Sequence, residues 1–487
     1  MALLLSNLSW QTAPATFAVD EDGAEGASVP VVVDWEDDDV EKPTNWSVSK
    51  KWINVLLIST LTLISPFGSS MFAPSTSEMM REFHSTNIDL ESFSVSIFVL
   101  GYAFGPLIHG PLSELYGRLV LYHVNSLLFI LANIACALSV SLPILIVFRL
   151  ITGLVGSCPL AIGPASVSDL FIQEERGKGL AVWNLPVLLG PAIGPLVGSY
   201  LSAATGWRWS FWFLAIAMGV IYIATLLLLR ETHSPTLLEW KARRLRKKYG
   251  NPEISSIMAS KKSPRATFLN AIIRPTRLLV YSPIVLTLSI CAAVNYGFIY
   301  IIFTTMTSTF MSRYGLSRGD VGLTYLGFGI GNIVGNVTLG AISDKLVKAM
   351  ARKGEMKPEY RLPPLIPGSL LVPVGLFLYG WTLQYNVHFM VPLVGTFLVG
   401  VGTILIFMSI NSYLVDAFTE HAASAVAAST VLRSLGGGLL PLCGGKLYEA
   451  VGDGWGNSIL GLIGVAFIPA VWLLYRFGER LRLKSRV

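Results

Sequence analysis

The chain has 487 residues, of which 53% are hydrophobic and only 14% are charged, and its mean hydropathy is +0.60. Soluble domains carry about 25% charged residues, so this composition excludes a string of soluble domains and predicts an integral membrane protein. The formal net charge of +6 does not indicate nucleic-acid binding, because the basic residues cluster in predicted loops.

An acidic, polar tail opens the chain at residues 1–50. Its carboxylates concentrate between residues 34 and 41, and its composition predicts a disordered segment. The apolar start has no basic residue and is too short for a cleaved signal peptide. Asn7 and Asn45 each begin an Asn-x-Ser glycosylation pattern, which stays unused if the tail is cytosolic.

Twelve apolar segments follow, each close to the roughly 20 residues that a transmembrane helix needs. They predict an all-α membrane fold of twelve transmembrane helices in two pseudo-symmetric six-helix halves, 51–230 and 281–478. A cytosolic central loop at 231–280 joins the halves, and a basic cytosolic tail at 479–487 ends the chain. The predicted spans are 53–73, 92–110, 120–140, 144–166, 180–202, 210–230, 282–304, 321–342, 364–382, 389–411, 424–446 and 456–476.

A turn that is rich in glycine and charge joins the second and third spans. It runs Gly110-Pro111-Leu112-Ser113-Glu114-Leu115-Tyr116-Gly117-Arg118. Glu114 and Arg118 are four residues apart and can pair on a helical turn, and a charged pair at the end of a span is costly unless it performs a task. The stretch resembles the loop between spans 2 and 3 of the major facilitator superfamily of secondary transporters. The alternative is an ordinary charged turn.

Arg149 lies several residues inside the fourth span, where a buried arginine costs about 2.5–3.5 kcal/mol on insertion scales. The guanidinium stays charged, so it can hold a nearby acid or water, or bind an anionic group of a substrate. Its context resembles the conserved-arginine motif in span 4 of the superfamily, which implies a part in proton coupling. The alternative is an arginine that extends its charged end to the outer face.

The fifth span repeats glycine at every fourth residue and adds prolines: Gly190, Pro191, Gly194, Pro195 and Gly198. Glycines at this spacing give a helix one smooth face for close packing. Ordinary packing accounts for the glycines but not for the prolines. The run resembles the Gly-Pro motif of the antiporter branches of the superfamily, and the resemblance implies antiport.

Lys and Arg concentrate in the central loop, between the eighth and ninth spans, and after the twelfth span, all on one side of a twelve-span chain. That side is predicted to be cytosolic, together with both termini. Within the central loop, Leu238, Ala242, Leu245 and Tyr249 recur at helical spacing opposite basic residues. They predict an amphipathic helix on the inner membrane surface; the alternative is a docking site for a regulator.

The second half echoes the first, because Gly340-Ala341-Ile342-Ser343-Asp344 matches Gly110 to Glu114, and Asp416 matches Asp169. Such a repeat predicts two halves related by an axis along the membrane normal, with the substrate site at the midplane between them. By resemblance, a charge cluster closes the cytosolic side in the outward-open state. Its residues are Glu114, Arg118 and Asp169 in the first half, and Asp344 and Asp416 with Arg433 as a partner in the second.

Further stretches resemble the fungal twelve-span drug:proton antiporters of the superfamily. They are Gly206 to Trp212, Glu231 to Pro235, Pro358 to Pro363 and Asn411 to Phe418, and the resemblance runs from about residue 40 to the end. It implies export of toxins, azole-type drugs, polyamines or the cell's own secondary metabolites. It also implies a proton gradient as the driving force and no cofactor.

Four residues are candidates for the substrate cavity by their place in spans seven and ten: Asn295, Tyr296, Tyr300 and Asn411. An aromatic and amide lining suits amphipathic ligands, although such residues also bridge helices. The six histidines and four cysteines show no metal-binding spacing and no disulfide framework.

The sequence thus predicts a proton-coupled exporter of small hydrophobic or amphipathic compounds. An importer of the same fold is the first alternative, and the Gly-Pro motif argues against it. An enzyme is disfavoured because no His, Asp or Ser cluster marks one face, and a seven-span receptor does not fit twelve spans. The expected partners are the substrate, protons and lipid. We expect a monomer in the plasma membrane, with the vacuolar membrane as the alternative.

Overall fold

The computed structural model describes residues 32–36, 38–172, 175–258, 264–351, 357–419 and 422–484. Two short strands, β1 (Val32–Val33) and β2 (Ser255–Ser256), pair in parallel. All other regular structure in the described residues is helical. The α-helices are α1 (Val48–Ser70), α2 (Thr76–Glu82), α3 (Ile88–Tyr116), α4 (Arg118–Ala137), α5 (Leu142–Gly156), α6 (Cys158–Leu170), α7 (Arg176–Thr205), α8 (Arg208–Leu228), α9 (Ser234–Tyr249), α10 (Pro264–Tyr281), α11 (Pro283–Tyr314), α12 (Leu326–Ala351), α13 (Leu365–Gln384), α14 (Met390–Ala417), α15 (Ala422–Leu439) and α16 (Pro441–Lys484).

Eleven helical segments in the described residues are long and apolar enough to cross a membrane. The remaining predicted span, 424–446, corresponds to α15 and the beginning of α16. Leu440 N–H donates to Gly436 C=O at 3.0 Å, so the helix continues to Pro441, which has no N–H to donate. Farther on, Gly452 takes φ 78° and divides α16 into two arms. All twelve predicted spans are therefore helical.

Two spans are built from more than one helix. The first combines α1, the 3₁₀ turn Ala73–Ser75 and α2, and the fourth combines α5 and α6. Ala161 N–H donates to Ser157 C=O at 2.9 Å across the α5–α6 break. The fourth segment extends beyond the predicted 144–166 at both ends, to Leu142 and Leu170. At its C-terminal end the helix continues past Ser168 and Asp169, where polar residues replace apolar ones.

The internal repeat appears in the packing of helix pairs. A Cβ on Gly153 of α5 would lie 2.0 Å from Phe98 C=O on α3, and a Cβ on Gly400 of α14 would lie 2.4 Å from Phe328 C=O on α12. Phe98 and Phe328 are as far apart in the sequence as the two turns, and Gly153 and Gly400 are as far apart as Asp169 and Asp416. The same close crossing is thus built once in each half.

The halves meet at the end that is predicted to face outside. Arg318 Nη1 lies 3.7 Å from Glu78 Oε2, and Lys446 Nζ lies 2.5 Å from Asp89 Oδ2. Each pair joins a residue of one half to a residue of the other. Deeper in the interface, Ser96 Oγ donates to Gly438 C=O at 2.8 Å, which attaches α3 to α15.

Part of the acidic tail is ordered against the central loop, contrary to the expectation of disorder up to residue 50. Lys241 Nζ lies 2.5 Å from Asp39 Oδ2, and Arg244 Nη2 lies 2.5 Å from Glu41 Oε2. Opposite charge on the tail and on α9 accounts for this contact, while Asn7 and the rest of residues 1–31 lie outside the described part.

The apolar face of α9 is covered by the chain itself. Leu238 and Ala242 are buried in a cluster with Val33 and Ile254. The expectation that this face lies on the membrane is therefore wrong for these two residues, because apolar side chains from the tail and from the loop after α9 occupy the place expected for lipid.

Candidate functional site

The twelve predicted spans contain no Asp or Glu. Two arginines, Arg149 and Arg433, lie inside them; the other Lys and Arg of these spans are their final residues. Intramembrane charges are costly and mark functional positions in membrane proteins. The two arginines are therefore the starting points for the site, and the structure gives them different surroundings.

Arg149 is fully buried, with 0% of its surface exposed. Its Nη1 donates to Gly68 C=O at 2.6 Å, Nε to Ser94 C=O at 3.2 Å and Nη2 to Val95 C=O at 3.3 Å. Gly68 lies in the last turn of α1, where carbonyls lack helical donors. One side chain of α5 thus fastens the end of α1 to α3.

Three aromatic rings surround the Arg149 guanidinium: Phe98 at 4.8 Å, Phe72 at 5.4 Å and Phe211 at 5.8 Å from the ring centroids. Cation–π attraction of this kind contributes more when the cation is desolvated. The side chain does not extend to the outer face, and none of the ion pairs among the described residues includes it. Each of its three nitrogens donates to a backbone carbonyl, so the protein itself uses this guanidinium to hold its own backbone.

Arg433 of α15 has no comparable set of acceptors. Its guanidinium lies 4.4 Å from the Phe407 ring centroid and 4.9 Å from that of Tyr296, and its buried Nε has no hydrogen-bond partner. The sequence suggested an ion pair with an aspartate of the second half. The structure instead pairs Asp416 with Arg361 at 3.0 Å, and the side chain of Asp344 lies outside the described part.

The cavity candidates are divided between two places. Tyr296 contacts Arg433 and meets the edge of Tyr300 at 5.1 Å between ring centroids. Asn295 points elsewhere: its Oδ1 accepts from Thr403 Oγ1 at 3.1 Å, and it lines a small cavity among helices of the second half only. Asn411 is partly exposed on α14.

A tyrosine of the first half, which the sequence analysis did not single out, is buried in the same region. The Tyr102 hydroxyl lies 2.7 Å from Ser65 Oγ, which joins α3 to α1. No motif surrounds Tyr102, so its place in the interior could be found only from the structure.

At the other end of the first half, Arg118 Nε lies 3.4 Å from Asp169 Oδ2, and Arg118 Nη1 donates to Ser113 Oγ. The structure thus brings together Arg118 and Asp169 as expected. Glu114 is exposed and takes part in none of the ion pairs formed by the described residues. The pairing of Glu114 with Arg118 that the four-residue spacing suggests is therefore absent from this structure.

Glu231 completes this cluster, and the sequence analysis missed its role. Its Oε1 accepts from Arg118 N–H and its Oε2 from Leu119 N–H, both at 3.0 Å. These are the first two N–H groups of α4, so the carboxylate caps a helix N-terminus. Gly117 has φ 89°, and a Cβ there would lie 2.4 Å from Glu231 Oε2. The turn between spans two and three therefore needs this glycine.

The residue after next, His233, is held by the same carboxylate. Its backbone N–H donates to Glu231 Oε1 at 2.9 Å, and its Nδ1 lies 2.8 Å from Thr236 Oγ1. Burial, and secondarily the charge of Arg118, lowers the pKa of His233 to about 4. The imidazole is therefore neutral at neutral pH and adds no positive charge to the cluster.

We expect Glu231→Gln to lower the thermal unfolding temperature of the detergent-purified protein. The change puts an amide NH₂ against backbone N–H donors and removes a charge-assisted hydrogen bond, at a cost of about 1.5–3 kcal/mol. Glu114→Gln is the matched control, since Glu114 is exposed and should leave the unfolding temperature unchanged. Equal unfolding temperatures for the two variants would contradict the capping role.

The glycine face of α7 packs on α1. A Cβ on Gly190 would lie 2.3 Å from Pro66 Cβ, one on Gly194 2.4 Å from Ser70 Oγ, and one on Gly198 1.9 Å from a backbone oxygen at the end of α1. A side chain at Gly190 or Gly198 would force the helices apart, because Pro66 Cβ and the Met71 carbonyl cannot rotate away, whereas at Gly194 the Ser70 hydroxyl would have to move. The three glycines thus form the smooth face that their spacing predicts.

Another face of α7 packs on the second half. Gly322, in the 3₁₀ turn Asp320–Tyr325, approaches Ser199 and Pro195, and Gly329 of α12 approaches Ala192. Ser199 Oγ also donates to Gly319 C=O at 3.0 Å. The helix that carries the Gly-Pro run therefore contacts α1 within its own half and α12 across the interface.

Known proteins resemble this chain over most of its length. The profile of the Major Facilitator Superfamily matches residues 58–441. The MFS-type transporter penM of Penicillium rubens is 49% identical over 459 residues, which are 94% of this chain and 90% of penM. The efflux pump radE of Floropilus chiversii is 50% identical over 461 residues, which are 94% of this chain and 86% of radE.

Solved structures share the fold at much lower identity. The xylose transporter XylE from E. coli, in a partially occluded inward-open conformation, matches with a TM-score of 0.65 and 17% identity over 88% of this chain and 98% of XylE. A bacterial homologue of the human lysosomal transporter Spinster matches with a TM-score of 0.63 and 14% identity over 91% of this chain and 99% of its own.

Proposed function

The chain belongs to the major facilitator superfamily, and from this premise we propose that it exports small hydrophobic or amphipathic compounds in exchange for protons. It is a multi-pass membrane transporter and not an enzyme. Export is the direction named for radE, an efflux pump that is 50% identical to this chain. The compounds in view are drugs, toxins, secondary metabolites or polyamines.

The packing of α7 carries the proposal. Its glycine face lies against α1 with no room for a Cβ at Gly190 or Gly198, and its other side lies against α12 of the second half. A helix in this position links the two halves that must rock against each other during alternating access. The Gly-Pro run in it is the feature that resembles the antiporter branches.

The charged cluster at the predicted cytosolic end is proposed to hold the inner side closed in the outward-open state. Arg118 and Asp169 form its ion pair in the first half, and Arg361 and Asp416 form a corresponding pair in the second. Each pair stays within its own half in this structure. If these residues exchanged partners between the halves in the outward-open state, the new ion pairs would hold the inner side closed.

The proton-coupling role of Arg149 remains a prediction. Because the twelve predicted spans contain no carboxylate, Arg149 has no acid beside it there to hold. We propose that it acts by fixing α1, α3 and α5 together, through Gly68, Ser94 and Val95.

The protein is proposed to act as a monomer in the plasma membrane, with both termini in the cytosol.

Efflux from preloaded cells tests the function. Pump-deficient yeast carrying this chain or an empty vector would be loaded with fluorescent drugs, polyamines or fungal metabolites, and efflux measured with and without a protonophore. Faster efflux of some compound than in vector cells, abolished by the protonophore, is the expected result. Increased uptake would favour an importer. Efflux at the same rate with and without the protonophore would contradict the proposed coupling to protons.

A further inference from the structure

Arg433 is an intramembrane cation whose hydrogen-bonding capacity is not used by the protein. Its Nε is buried and has no partner, and no carboxylate among the described residues forms an ion pair with it. Arg149 shows the contrast, since three backbone carbonyls engage its three nitrogens. A guanidinium is costly to place inside a membrane. Free donors on it therefore point to an acceptor that is not part of the chain.

Flat aromatic surfaces flank the free guanidinium. The Phe407 and Tyr296 ring centroids lie 4.4 and 4.9 Å from Arg433 Cζ, and the Tyr300 ring meets Tyr296 edge to face at 5.1 Å. Tyr296 and Phe407 are partly exposed, whereas Tyr300 is buried. A planar, unsaturated ligand can lie against the exposed part of the Tyr296 and Phe407 rings while its polar end reaches the guanidinium.

This group lies at the joint between the halves. Arg433 is on α15, and Ser96 of α3 donates to Gly438 C=O on α15 at 2.8 Å. The neighbouring Gly437 approaches Tyr296 so closely that a Cβ would lie 2.5 Å from its ring. The arginine and its rings are thus placed where rocking of the two halves changes the surroundings, as a transported ligand requires.

The charge of the interior has one sign. The predicted spans contain no Asp or Glu, and the charges inside them are those of Arg149 and Arg433. Charge interactions are strengthened in a medium of low dielectric constant. A cation such as a polyamine would meet two positive charges and no carboxylate, whereas an anion would meet a cation with free donors.

We propose that Arg433 binds the acidic group of the transported compound, so that the preferred substrates are planar, unsaturated organic acids and not cations. Carboxylates, enolates and phenolates offer the oxygen acceptors that a guanidinium fork binds with two parallel hydrogen bonds. The proposal rests on the export function above in taking the transported compound as the ligand, and it narrows the substrate class of that function.

A matched series of probes tests the preference. Pyrenebutyric acid, pyrenebutanol and pyrenebutylamine share one flat ring system and differ in the charge of the end group. Binding to the full chain in lipid nanodiscs would be followed by probe fluorescence, with empty nanodiscs as the background. We expect the acid to bind about tenfold more tightly than the alcohol, and the amine to bind most weakly.

Arg433→Gln should remove the preference. We expect it to weaken binding of the acid by about 10- to 100-fold and binding of the alcohol by less than about twofold. Arg433→Lys keeps the charge but loses the two parallel donors of the guanidinium, so its affinity for the acid should lie between those of the wild type and of Arg433→Gln. Arg476→Gln is the matched control, because Arg476 also lies over aromatic rings, Trp472 at 5.3 Å and Phe477 at 5.8 Å, but is exposed.

The outcomes separate this proposal from the export function. Equal binding of acid and alcohol to the wild-type protein, no binding of the acid, or a preference that survives in Arg433→Gln overturns the anion site. The wild-type order of the probes decides the matter even if the variant fails to fold. If the acid binds preferentially but is not exported from cells, the anion site stands and the export function is contradicted. If all three probes are exported at the same rate, the export function stands and the anion site is contradicted.

Discussion

Replacing Arg149 with alanine is expected to abolish transport and to lower the unfolding temperature. The change leaves a void among three phenylalanine rings, at about 3–5 kcal/mol for a large buried side chain. It also removes the donor to Gly68 C=O, at about 1–3 kcal/mol. Alanine carries no charge, so the cost of holding an arginine inside the membrane, about 2.5–3.5 kcal/mol, is no longer present and offsets part of this loss. The midpoints of these ranges leave a net loss of about 3 kcal/mol, and α1 is no longer fastened to α5.

Arg149→Met separates the charge from the volume. Methionine refills most of the void and needs no counter-charge, so the unfolding temperature should return to the wild-type value or exceed it. Transport should stay lost, because the carbonyls of Gly68, Ser94 and Val95 have no donor from α5. Efflux and thermal unfolding measured on the same preparations give the comparison, with Arg476→Ala as the exposed control. Wild-type efflux by Arg149→Met would show that only the volume matters.

The spans and the repeat could be predicted because local sequence specifies them. A run of about 20 apolar residues must become a helix in lipid, since every backbone polar group needs a partner within it. Turn residues recur in both halves, so Gly110 and Gly340 revealed the repeat that the crossings of Gly153 and Gly400 display. The meeting of Arg118 with Asp169 was expected from the resemblance to the superfamily and not from local sequence.

Other contacts could not be predicted because they join residues far apart in the chain. Glu231 caps α4 from beyond the sixth span, and hydropathy shows only where a span ends. Arg433 was expected beside an aspartate on grounds of charge alone, but its direction from α15 depends on how that helix is rotated. Asn295 and Tyr296 are adjacent in sequence and point to different places. Their helix is apolar on most of its surface, so the distribution of apolar residues around it does not distinguish such faces.

The acidic tail shows a further limit of composition. Low hydrophobicity and repeated carboxylates predict disorder, yet Asp39 and Glu41 pair with Lys241 and Arg244. Both partners are unremarkable when considered alone. Their complementarity becomes visible only once the fold has brought the tail under the central loop.

Gly198→Ala is expected to lower efflux strongly and to reduce the unfolding temperature, although it adds a single methyl group. The Cβ would lie 1.9 Å from the Met71 carbonyl oxygen, which belongs to backbone and cannot rotate away. The helices α1 and α7 must therefore separate, and overpacking of this kind costs about 1–3 kcal/mol. The shift also moves the end of α1, where Gly68 binds Arg149, so the two sites should respond together.

Gly219→Ala on α8 is the matched control, because a Cβ there meets no atom within 4 Å. Alanine stabilises an exposed helical position by about 0.5–1 kcal/mol relative to glycine, so Gly219→Ala should keep wild-type efflux and unfold no earlier than the wild type. The difference between the two variants then isolates the contact with α1 from helix propensity. If both variants behaved alike, close packing of α7 on α1 would not be what the Gly-Pro run provides, and the antiporter interpretation would lose its structural support.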